Sequence, residues 1–218
     1  MIYGLYPEVI IKSAEAEENI KLIAKSYLYK DILQYQNIKN PNILEKLLQS
    51  LALQVGNEVS YNELSNFLDI DKKTVANYIE ILKKAFVIFE LKPFSRNLRN
   101  ELRKLRKIYF FDNGVRNALI NNFNSLDRRN DAGQLWENFI ISERVKINSN
   151  HGNDCNMYFW RTHDKKEIDY LEEKNGKLYG YEIKLGSGRL SGVKLFLDTY
   201  PDSELKVIKK DNYNELIF

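Results

Sequence analysis

A hairpin near the C-terminus carries the side chains whose types and spacing could do chemistry. Asn175-Gly176 separates two runs of alternating residues, and this dipeptide is typical of a two-residue type I′ turn. Such a turn fixes the register, so Asp169 is predicted to face Glu182, and Glu167 to face Lys184. Because side chains alternate along a strand, these four should project from one face. The opposite face would carry residues suited to a core: Ile168, Tyr170, Tyr181 and Ile183.

Facing carboxylates with Cβ atoms about 5 Å apart repel each other, and a divalent cation would turn that repulsion into a binding site. Oxygen ligands favour Mg²⁺ or Mn²⁺ over zinc. Lys184 would orient or help to deprotonate a water beside the metal and would stabilise charge developing at phosphorus. The alternative is a solvent-exposed hairpin in which Glu167 and Lys184 form a surface ion pair and the facing acids are merely tolerated.

The elements around this hairpin alternate between helix and strand. Residue patterning predicts a helix over 134–146, strands over 156–161, 168–173 and 177–185, and a helix over 191–198. The residues before them, 121–131, are polar and rich in turn formers, which predicts a domain boundary there.

The first half of the chain is predicted to be mostly helical. An amphipathic helix begins near Glu15 and extends to Ile32, and Asn40-Pro41 offers the start of a second. Ser60-Tyr-Asn-Glu63 is a capping box, and Asp71 can cap the helix after it. Three helices, the last two joined tightly, are followed by predicted strands over 86–91 and 107–111. This order is the layout of a winged helix-turn-helix.

A basic segment follows these helices. Residues 92–107 hold seven basic residues and one acid, a charge of about +6, whereas the whole chain carries +3. As the wing of a winged helix, this segment would contact DNA phosphates through Lys92, Arg96, Arg99, Arg103, Lys104 and Arg106. The recognition helix would present Lys72, Lys73, Asn77 and Lys83 to the groove. The alternatives are a solvated loop or a patch that meets an acidic protein.

Composition excludes several classes of protein. The 218 residues are 44% hydrophobic and 29% charged, which is ordinary for a globular chain and unlike a disordered or fibrous one. No apolar run approaches the roughly 18 residues of a membrane helix, and the N-terminus lacks the pattern of a secretory signal. The lone Cys155 excludes an internal disulfide, and His151 and His163 lack further zinc ligands in motif spacing. We expect a cytoplasmic protein.

Asp169, Glu182 and Lys184, with twelve residues between the acids, resemble the acid, acid and lysine of the PD-(D/E)xK nuclease-like superfamily. Seven blocks along the chain narrow the resemblance: Gly4-Leu-Tyr-Pro-Glu8, Tyr27-Leu-Tyr-Lys-Asp31, Lys107-Ile-Tyr-Phe-Phe-Asp112 with Gly114-Val-Arg116, Gly133-Gln-Leu-Trp-Glu-Asn138, Phe159-Trp-Arg161, Glu167-Ile-Asp169 and Tyr181-Glu-Ile-Lys184. In this order they are similar to the C-terminal region of unknown function that follows the ATPase core in many archaeal and bacterial AAA-type ATPases. Lys30-Asp31 departs mildly from the family's usual Arg-Asp.

The resemblance implies an α/β (α+β) fold in which a winged helix-turn-helix precedes a restriction-endonuclease-like α/β domain with a mixed sheet. It places an N-terminal helical linker at 1–38, the winged helix at 39–124 and the nuclease-like domain at 125–218. Glu137 matches the acid on the helix before the sheet, Asp169 and Glu182 match the metal-binding pair, and Lys184 matches the lysine.

Two kinds of function are compatible with this resemblance. The chain is either a Mg²⁺- or Mn²⁺-dependent phosphodiester hydrolase facing DNA, or a catalytically silent DNA-binding, regulatory or protein-interaction module of the ATPase. A phosphate loop of the form G-x-x-x-x-G-K-[ST] does not occur in the sequence. The chain by itself is therefore not expected to bind or hydrolyse ATP, and the ATPase core, which is covalently joined in the family, is the expected partner besides DNA.

Overall fold

The computed structural model describes residues 1–26, 38, 40–94, 106–186, 188 and 190–217. The fold is mixed α/β and divides into two compact units. Unit 1 comprises Met1–Glu90 and Ile108–Asn130, and unit 2 comprises Leu91–Lys107 and Asp131–Phe218. None of the helices within the described ranges has the length and apolar character that a membrane span requires. The domain limits expected from the resemblance stay a prediction.

Unit 1 is mainly helical. Its elements in chain order are α1 (Pro7–Ile11), α2 (Ala16–Ser26), α3 (Pro41–Leu53), β1 (Glu58–Val59), α4 (Tyr61–Leu68), α5 (Lys72–Lys84) and α6 (Asn113–Leu119). The helix expected from Glu15 to Ile32 is confirmed as far as Ser26, and the rest of it lies outside the described residues. Sequence patterning does not predict α1 or α6, because five and seven residues are too few to display a helical period.

Side-chain caps mark the start of three helices of unit 1, α4, α5 and α6. Ser60 accepts a hydrogen bond from the Glu63 backbone N–H at 3.4 Å, and Asp71 accepts one from the Thr74 backbone N–H at 2.9 Å. Both caps confirm the sequence prediction, since each satisfies an amide that the first helical turn leaves unpaired. Asp112 caps α6 in the same way.

Unit 2 contains the hairpin and the elements around it. Its helices and strands in chain order are α7 (Ala132–Asn150), β4 (Asn156–Arg161), β5 (Glu167–Lys174), β6 (Lys177–Ile183), α8 (Val193–Thr199), β7 (Glu204–Ile208) and α9 (Asn214–Ile217). Strands β2 (Ile88–Pro93) and β3 (Arg106–Phe110) have residues in both units.

The seven strands of the described ranges form a mixed sheet in the order β1-β3-β2-β4-β5-β6-β7. Pairing is parallel between β2 and β4 and between β6 and β7, and antiparallel from β4 through β5 to β6. Strands β5 and β6 therefore lie inside the unit 2 sheet rather than at its edge, and the side chains from Ile168 to Glu172 on β5 are buried.

The hairpin turn is the one that the sequence predicts. Asn175 and Gly176 both have positive φ angles, 52° and 76°, as a type I′ turn requires. The register follows from that turn, with Lys174 opposite Lys177 and Tyr170 opposite Tyr181. The predicted pairing is thus confirmed from the turn as far as Tyr170.

Beyond Tyr170 the strand pairing changes because β5 contains a bulge. Tyr158 pairs with Leu171, whereas Trp160 pairs with Ile168, so β5 advances three residues while β4 advances two. Such an extra residue reverses the alternation of side chains beyond it.

The bulge divides the predicted apolar face. Ile168 lies in a core cluster together with Leu171 and Trp160. The ring of Tyr170 instead lies 5.9 Å from the ring of Tyr181, and the Tyr170 hydroxyl donates a hydrogen bond to Glu172 at 3.0 Å. The expectation that Ile168 and Tyr170 share a core face is therefore wrong.

Candidate functional site

The structure brings Asp169 of β5 and Glu182 of β6 together. Asp169 Oδ2 accepts a hydrogen bond from the Ile183 backbone N–H at 2.7 Å, which holds this carboxylate across the two strands. Asp169 is 5% exposed and Glu182 is 4% exposed, so the alternative of a solvent-exposed pair is wrong. Buried carboxylates require compensating partners.

Lys184, which follows β6, is a cation that the two carboxylates share. Its Nζ lies 2.8 Å from Glu182 Oε1 and 3.4 Å from Asp169 Oδ2. A Cβ at Gly188 would lie 2.6 Å from Lys184 Cδ, so the glycine leaves the space that the lysine stem occupies. Burial opposes the charge, but the two carboxylates outweigh it and raise the pKa of Lys184. Lys184 is therefore an ammonium at neutral pH and acts as a donor rather than as a base.

Glu182 has one oxygen without a partner. Its Oε2 is buried and accepts no hydrogen bond from any described residue. Burial, and then the charge of Asp169, raise the pKa of Glu182 to about 7 against the opposing effect of Lys184. Because a buried polar atom is stable only with a partner, this oxygen is the point at which the site can take up a proton or a cation.

A second group of charges adjoins this pair. Lys107, in β3, is buried, with its Nζ 3.4 Å from Glu137 Oε1 of α7 and in contact with Glu167. Burial opposes the ammonium charge, but Glu137, Glu167 and Asp169 outweigh it and raise the pKa of Lys107. The prediction that Lys107 belongs to an exposed basic segment is wrong, because the four residues from Lys107 to Phe110 of this strand are all buried.

Glu167 does not face Lys184, contrary to the prediction. It contacts Lys107, and its Oε2 lies 3.3 Å from Arg161 Nη1 on β4. The bulge in β5 separates Glu167 from the register that the hairpin turn sets. We call the four acids and three cations the carboxylate cluster: Glu137, Glu167, Asp169, Glu182, Lys107, Arg161 and Lys184.

The chemistry of the carboxylate cluster fits a hydrated divalent cation. Within the described ranges, no three His, Cys, Asp or Glu side chains converge tightly enough to hold a metal ion by themselves. Asp169 and Glu182 would thus supply two oxygen ligands, including the unpartnered Glu182 Oε2. Mg²⁺ commonly retains several waters and binds through one or two carboxylates, so two ligands are sufficient for it.

The predicted nucleic-acid residues lie in different parts of the chain. Lys72, Lys73 and Asn77 are exposed in the first turns of α5. Lys92 is exposed on β2, and Arg106 is half-buried at the start of β3. The other four predicted contacts lie outside the described residues: Arg96, Arg99, Arg103 and Lys104.

Sequence reasoning missed a second buried carboxylate on β5. Glu172 accepts hydrogen bonds from Arg144 at 2.7 and 2.8 Å and from Asn148 at 2.6 Å, both on α7, and from the Tyr170 hydroxyl. Burial opposes ionisation, yet Arg144 outweighs it and lowers the pKa of Glu172. The local signal is an acid within a strand of buried residues, and its two partners on α7 are more than 20 positions away. We call these four residues the Glu172 network.

Relatives of the chain are proteins of unassigned role. An uncharacterized protein of Haemophilus influenzae is 24% identical over 221 residues, covering 99% of the chain and 50% of the relative. An uncharacterized protein of Methanocaldococcus jannaschii is 25% identical over 242 residues, covering 99% and 52%. An uncharacterized protein of Mycobacterium tuberculosis is 32% identical over 136 residues, covering 62% and 30%. The chain spans about half the length or less of these relatives, and no solved structure matches it.

Two family models cover nearly all of the chain. Residues 132–215, which include Glu137, the hairpin and Lys184, match a model described as a domain of unknown function, DUF4143. Residues 1–126 match a second model, also described as a domain of unknown function, DUF8612. Since the latter covers more than half of the 218 residues, the chain belongs to the DUF8612 family and continues into a DUF4143 region that contains most of the carboxylate cluster.

Proposed function

We propose that this chain is the DNA-binding, nuclease-like portion of an AAA-type ATPase and that it hydrolyses phosphodiesters with Mg²⁺ or Mn²⁺. The observation that carries the proposal is the shared contact of Lys184 with two buried carboxylates, one of which has an unpartnered oxygen. The order Asp169, Glu182, Lys184 is that of the resembled PD-(D/E)xK nucleases, in which the two acids hold metal and the lysine assists.

The element order supports the two-part architecture of this proposal. In unit 1 the succession α3, β1, α4, α5, leading into β2 and β3, fits a winged helix-turn-helix with α5 as its recognition helix. In unit 2 a mixed sheet with a central antiparallel hairpin fits a restriction-endonuclease-like domain, with Glu137 supplied by the preceding helix α7.

Each residue of the carboxylate cluster would have a distinct role in hydrolysis. Asp169 and Glu182 would hold the metal, which when bound lowers the pKa of a coordinated water and stabilises charge at phosphorus. The Lys184 ammonium would donate to the phosphate oxygens as the water oxygen loses a proton to solvent and bonds to phosphorus, while the bond to the leaving oxygen breaks and that oxygen takes up a proton from solvent. Glu137, which pairs with Lys107, would assist by keeping a negative charge in a fixed position beside the metal site.

The proposal assigns ATP hydrolysis to a different part of a longer protein. The two relatives that cover 99% of the chain are about twice its length, which leaves room in those proteins for an ATPase core. The present residues lack a phosphate loop, so we expect no ATP binding by this chain alone. Tight binding of ATP in a calorimetric titration would contradict this assignment.

A cleavage assay tests the nuclease proposal. We expect Mg²⁺- or Mn²⁺-dependent cleavage of at least one of four substrates, namely single- and double-stranded DNA and RNA. Asp169→Asn and Lys184→Met should each lower the rate by about 100-fold or more, as loss of a metal ligand or a charge-stabilising donor does. Glu204→Gln, an exposed carboxylate on β7, is the control and should retain full activity. Cleavage that survives both substitutions refutes the assigned roles.

DNA binding is tested separately by a salt series. Each phosphate contact releases condensed counterions, so affinity should fall steeply as salt rises. Lys72→Ala and Lys73→Ala should weaken binding across sequences and reduce the slope of log K against log salt by about 1 per lost contact. Glu63→Gln, on the exposed part of α4, is a matched surface control. A salt-independent affinity, or none, contradicts the DNA-binding role.

A catalytically silent module is the second candidate, and one observation favours it. The three cations of the carboxylate cluster already neutralise most of its negative charge, as in a structural ion-pair network. A silent DNA-binding module predicts salt-dependent DNA affinity without cleavage in Mn²⁺. A protein-interaction module predicts salt-insensitive partner binding and no DNA affinity. The cleavage assay and the salt series together separate all three.

A further inference from the structure

Lys107 and Lys184 differ in how tightly the protein holds them. The Lys184 side chain is 24% exposed, whereas that of Lys107 is 3% exposed. The Lys107 ammonium contacts Glu137 and Glu167 and lies 5.5 Å from the centre of the Phe159 ring. Lys107 is therefore an internal cation, whereas the Lys184 side chain borders solvent.

The carboxylates that Lys107 engages are those that a second metal ion would need. In two-metal sites the ions lie about 3.5–4 Å apart and share the surrounding carboxylates. Asp169 and Glu182 form one pair of ligands, and Glu137 would be the next acid available on α7. Its Oε1 lies 3.4 Å from Lys107 Nζ, so an ammonium already occupies the position beside this carboxylate.

The charge balance of the carboxylate cluster leads to the same conclusion. The cluster has four acids and three cations among its described residues, an excess of one negative charge when all are ionised. One divalent cation would change this to an excess of one positive charge. A second divalent cation would leave three excess positive charges in a largely buried site, which strongly opposes its binding.

We infer that Lys107 occupies the place of a second metal ion and that the carboxylate cluster consequently binds a single divalent cation. The inference rests on the proposed metal site at Asp169 and Glu182 and adds its stoichiometry. Lys107 is a positioning residue in this arrangement, since it acts through Glu137 and Glu167 rather than on the substrate. Its role is to supply a permanent positive charge that does not exchange with the solution.

Counting bound Mn²⁺ tests the inference on the unmodified chain. Free Mn²⁺ is followed by electron paramagnetic resonance while the 218-residue protein is titrated at pH 8. We expect one ion per chain, and this ion should be lost in Asp169→Asn. Two ions per chain would overturn the single-ion inference while leaving the proposed metal site intact. No bound ion would overturn the proposed site itself, and the inference with it.

Glu137→Gln offers a second measurement in a variant that keeps the shape of the side chain. If Lys107 takes the place of the second ion, Glu137 is not a ligand, and the variant should still bind one Mn²⁺ per chain, more weakly because the cluster has lost one negative charge. A variant that binds no Mn²⁺ at saturating concentration would show that Glu137 coordinates metal and would overturn the inference.

Removing the Lys107 charge should create room for a second ion. Lys107→Met keeps the stem and removes the ammonium, so we expect it to be less stable in EDTA and to bind two Mn²⁺ per chain. Lys177→Met, at the exposed end of the β5–β6 hairpin, is the control and should bind one. A folded Lys107→Met that binds only one ion overturns the inference, and if it does not fold, the count on the unmodified chain decides.

Discussion

Two buried carboxylates on one hairpin have opposite electrostatic states. Glu172 accepts hydrogen bonds from Arg144, Asn148 and Tyr170, and Arg144 lowers its pKa against the effect of burial. Glu182 contacts Lys184 through one oxygen only, and burial together with Asp169 raises its pKa to about 7. The same residue type is thus fully hydrogen-bonded at position 172 and keeps a buried oxygen without a described partner at position 182.

The pKa values of Glu172 and Glu182 differ because different side chains surround the two carboxylates. Two polar residues of α7 reach Glu172, and one of them, Arg144, also donates to the Leu216 backbone carbonyl at 3.2 Å, so that network joins α7, β5 and α9. Around Glu182 the neighbouring side chains are mainly other acids. A fully paired carboxylate has nothing further to bind, whereas an unpaired one retains the capacity for a ligand.

The largest effect is expected from breaking the Glu172 network. Glu172→Ala leaves the Arg144 guanidinium without its carboxylate, and removing one partner of a buried ion pair costs about 3–5 kcal/mol. We expect a loss of this size in the free energy of unfolding measured with urea. Glu204→Ala breaks the exposed pair with Lys177 and should barely move the urea midpoint. Equal, small losses in both variants would mean that the Glu172 network does not anchor the fold.

Glu182→Gln should raise the free energy of unfolding at high pH, whereas Glu172→Ala should lower it. The pKa of Glu182 in the folded protein lies near 7, above its usual 4.5, so the folded state binds the proton more tightly than the unfolded state does. Stability of the unsubstituted protein therefore falls as pH rises through this window. In EDTA at pH 8 we expect Glu182→Gln to be more stable by about 3 kcal/mol, with a difference of less than about 1 kcal/mol at pH 5. Lower stability of the variant at pH 8 would contradict the assignment.

The proton on the Glu182 carboxyl should compete with binding of a metal ion. Because a carboxylate ligand must be ionised, Mn²⁺ binding should weaken by about tenfold between pH 8 and pH 6, given a pKa of Glu182 near 7. Isothermal titration calorimetry at the two pH values measures this change. An affinity that does not vary with pH would exclude Glu182 as a ligand, and Glu172→Gln, if it folds, should show the same pH dependence as the unsubstituted protein.

The smallest effect is expected from trimming one hydrogen bond of the Glu172 network. Tyr170→Phe removes the hydroxyl that donates to Glu172 at 3.0 Å and keeps the ring that packs on Tyr181. We expect a loss of about 1 kcal/mol in the free energy of unfolding, as for a single buried hydrogen bond, and no change in Mn²⁺ affinity. A change in metal binding would show that the two regions are coupled rather than independent.

Features fixed by neighbouring residues could be predicted from the sequence. The caps at Ser60 and Asp71 and the turn at Asn175-Gly176 involve residues within three positions of each other, and each has a strong local preference. The turn sets the pairing of β5 with β6 as far as Tyr170 and Tyr181, and Asp169 and Glu182 lie directly beyond that last pair.

Features that depend on distant packing could not be predicted. The environment of Lys107 is set by α7 and β5, 30 and 60 residues further along the chain, and composition alone assigns this lysine to a basic surface. The bulge in β5 likewise leaves no local signal, so Glu167 is assigned to the wrong partner. Strand β7 is a different case, because Glu204-Leu-Lys-Val-Ile208 alternates charged and apolar residues as a half-buried strand does, and our prediction omitted it.

Thermal unfolding with and without Mn²⁺ tests the central claim most directly, because it asks whether the carboxylate pair binds metal without requiring a substrate. At pH 8 and Mn²⁺ about 100 times its Kd, binding should stabilise the protein by about 2.7 kcal/mol and raise Tm by roughly 5–10 °C. The increase should be absent in Asp169→Asn and should persist in Glu204→Gln. The same increase in Asp169→Asn, or none in the unsubstituted protein, would contradict the account.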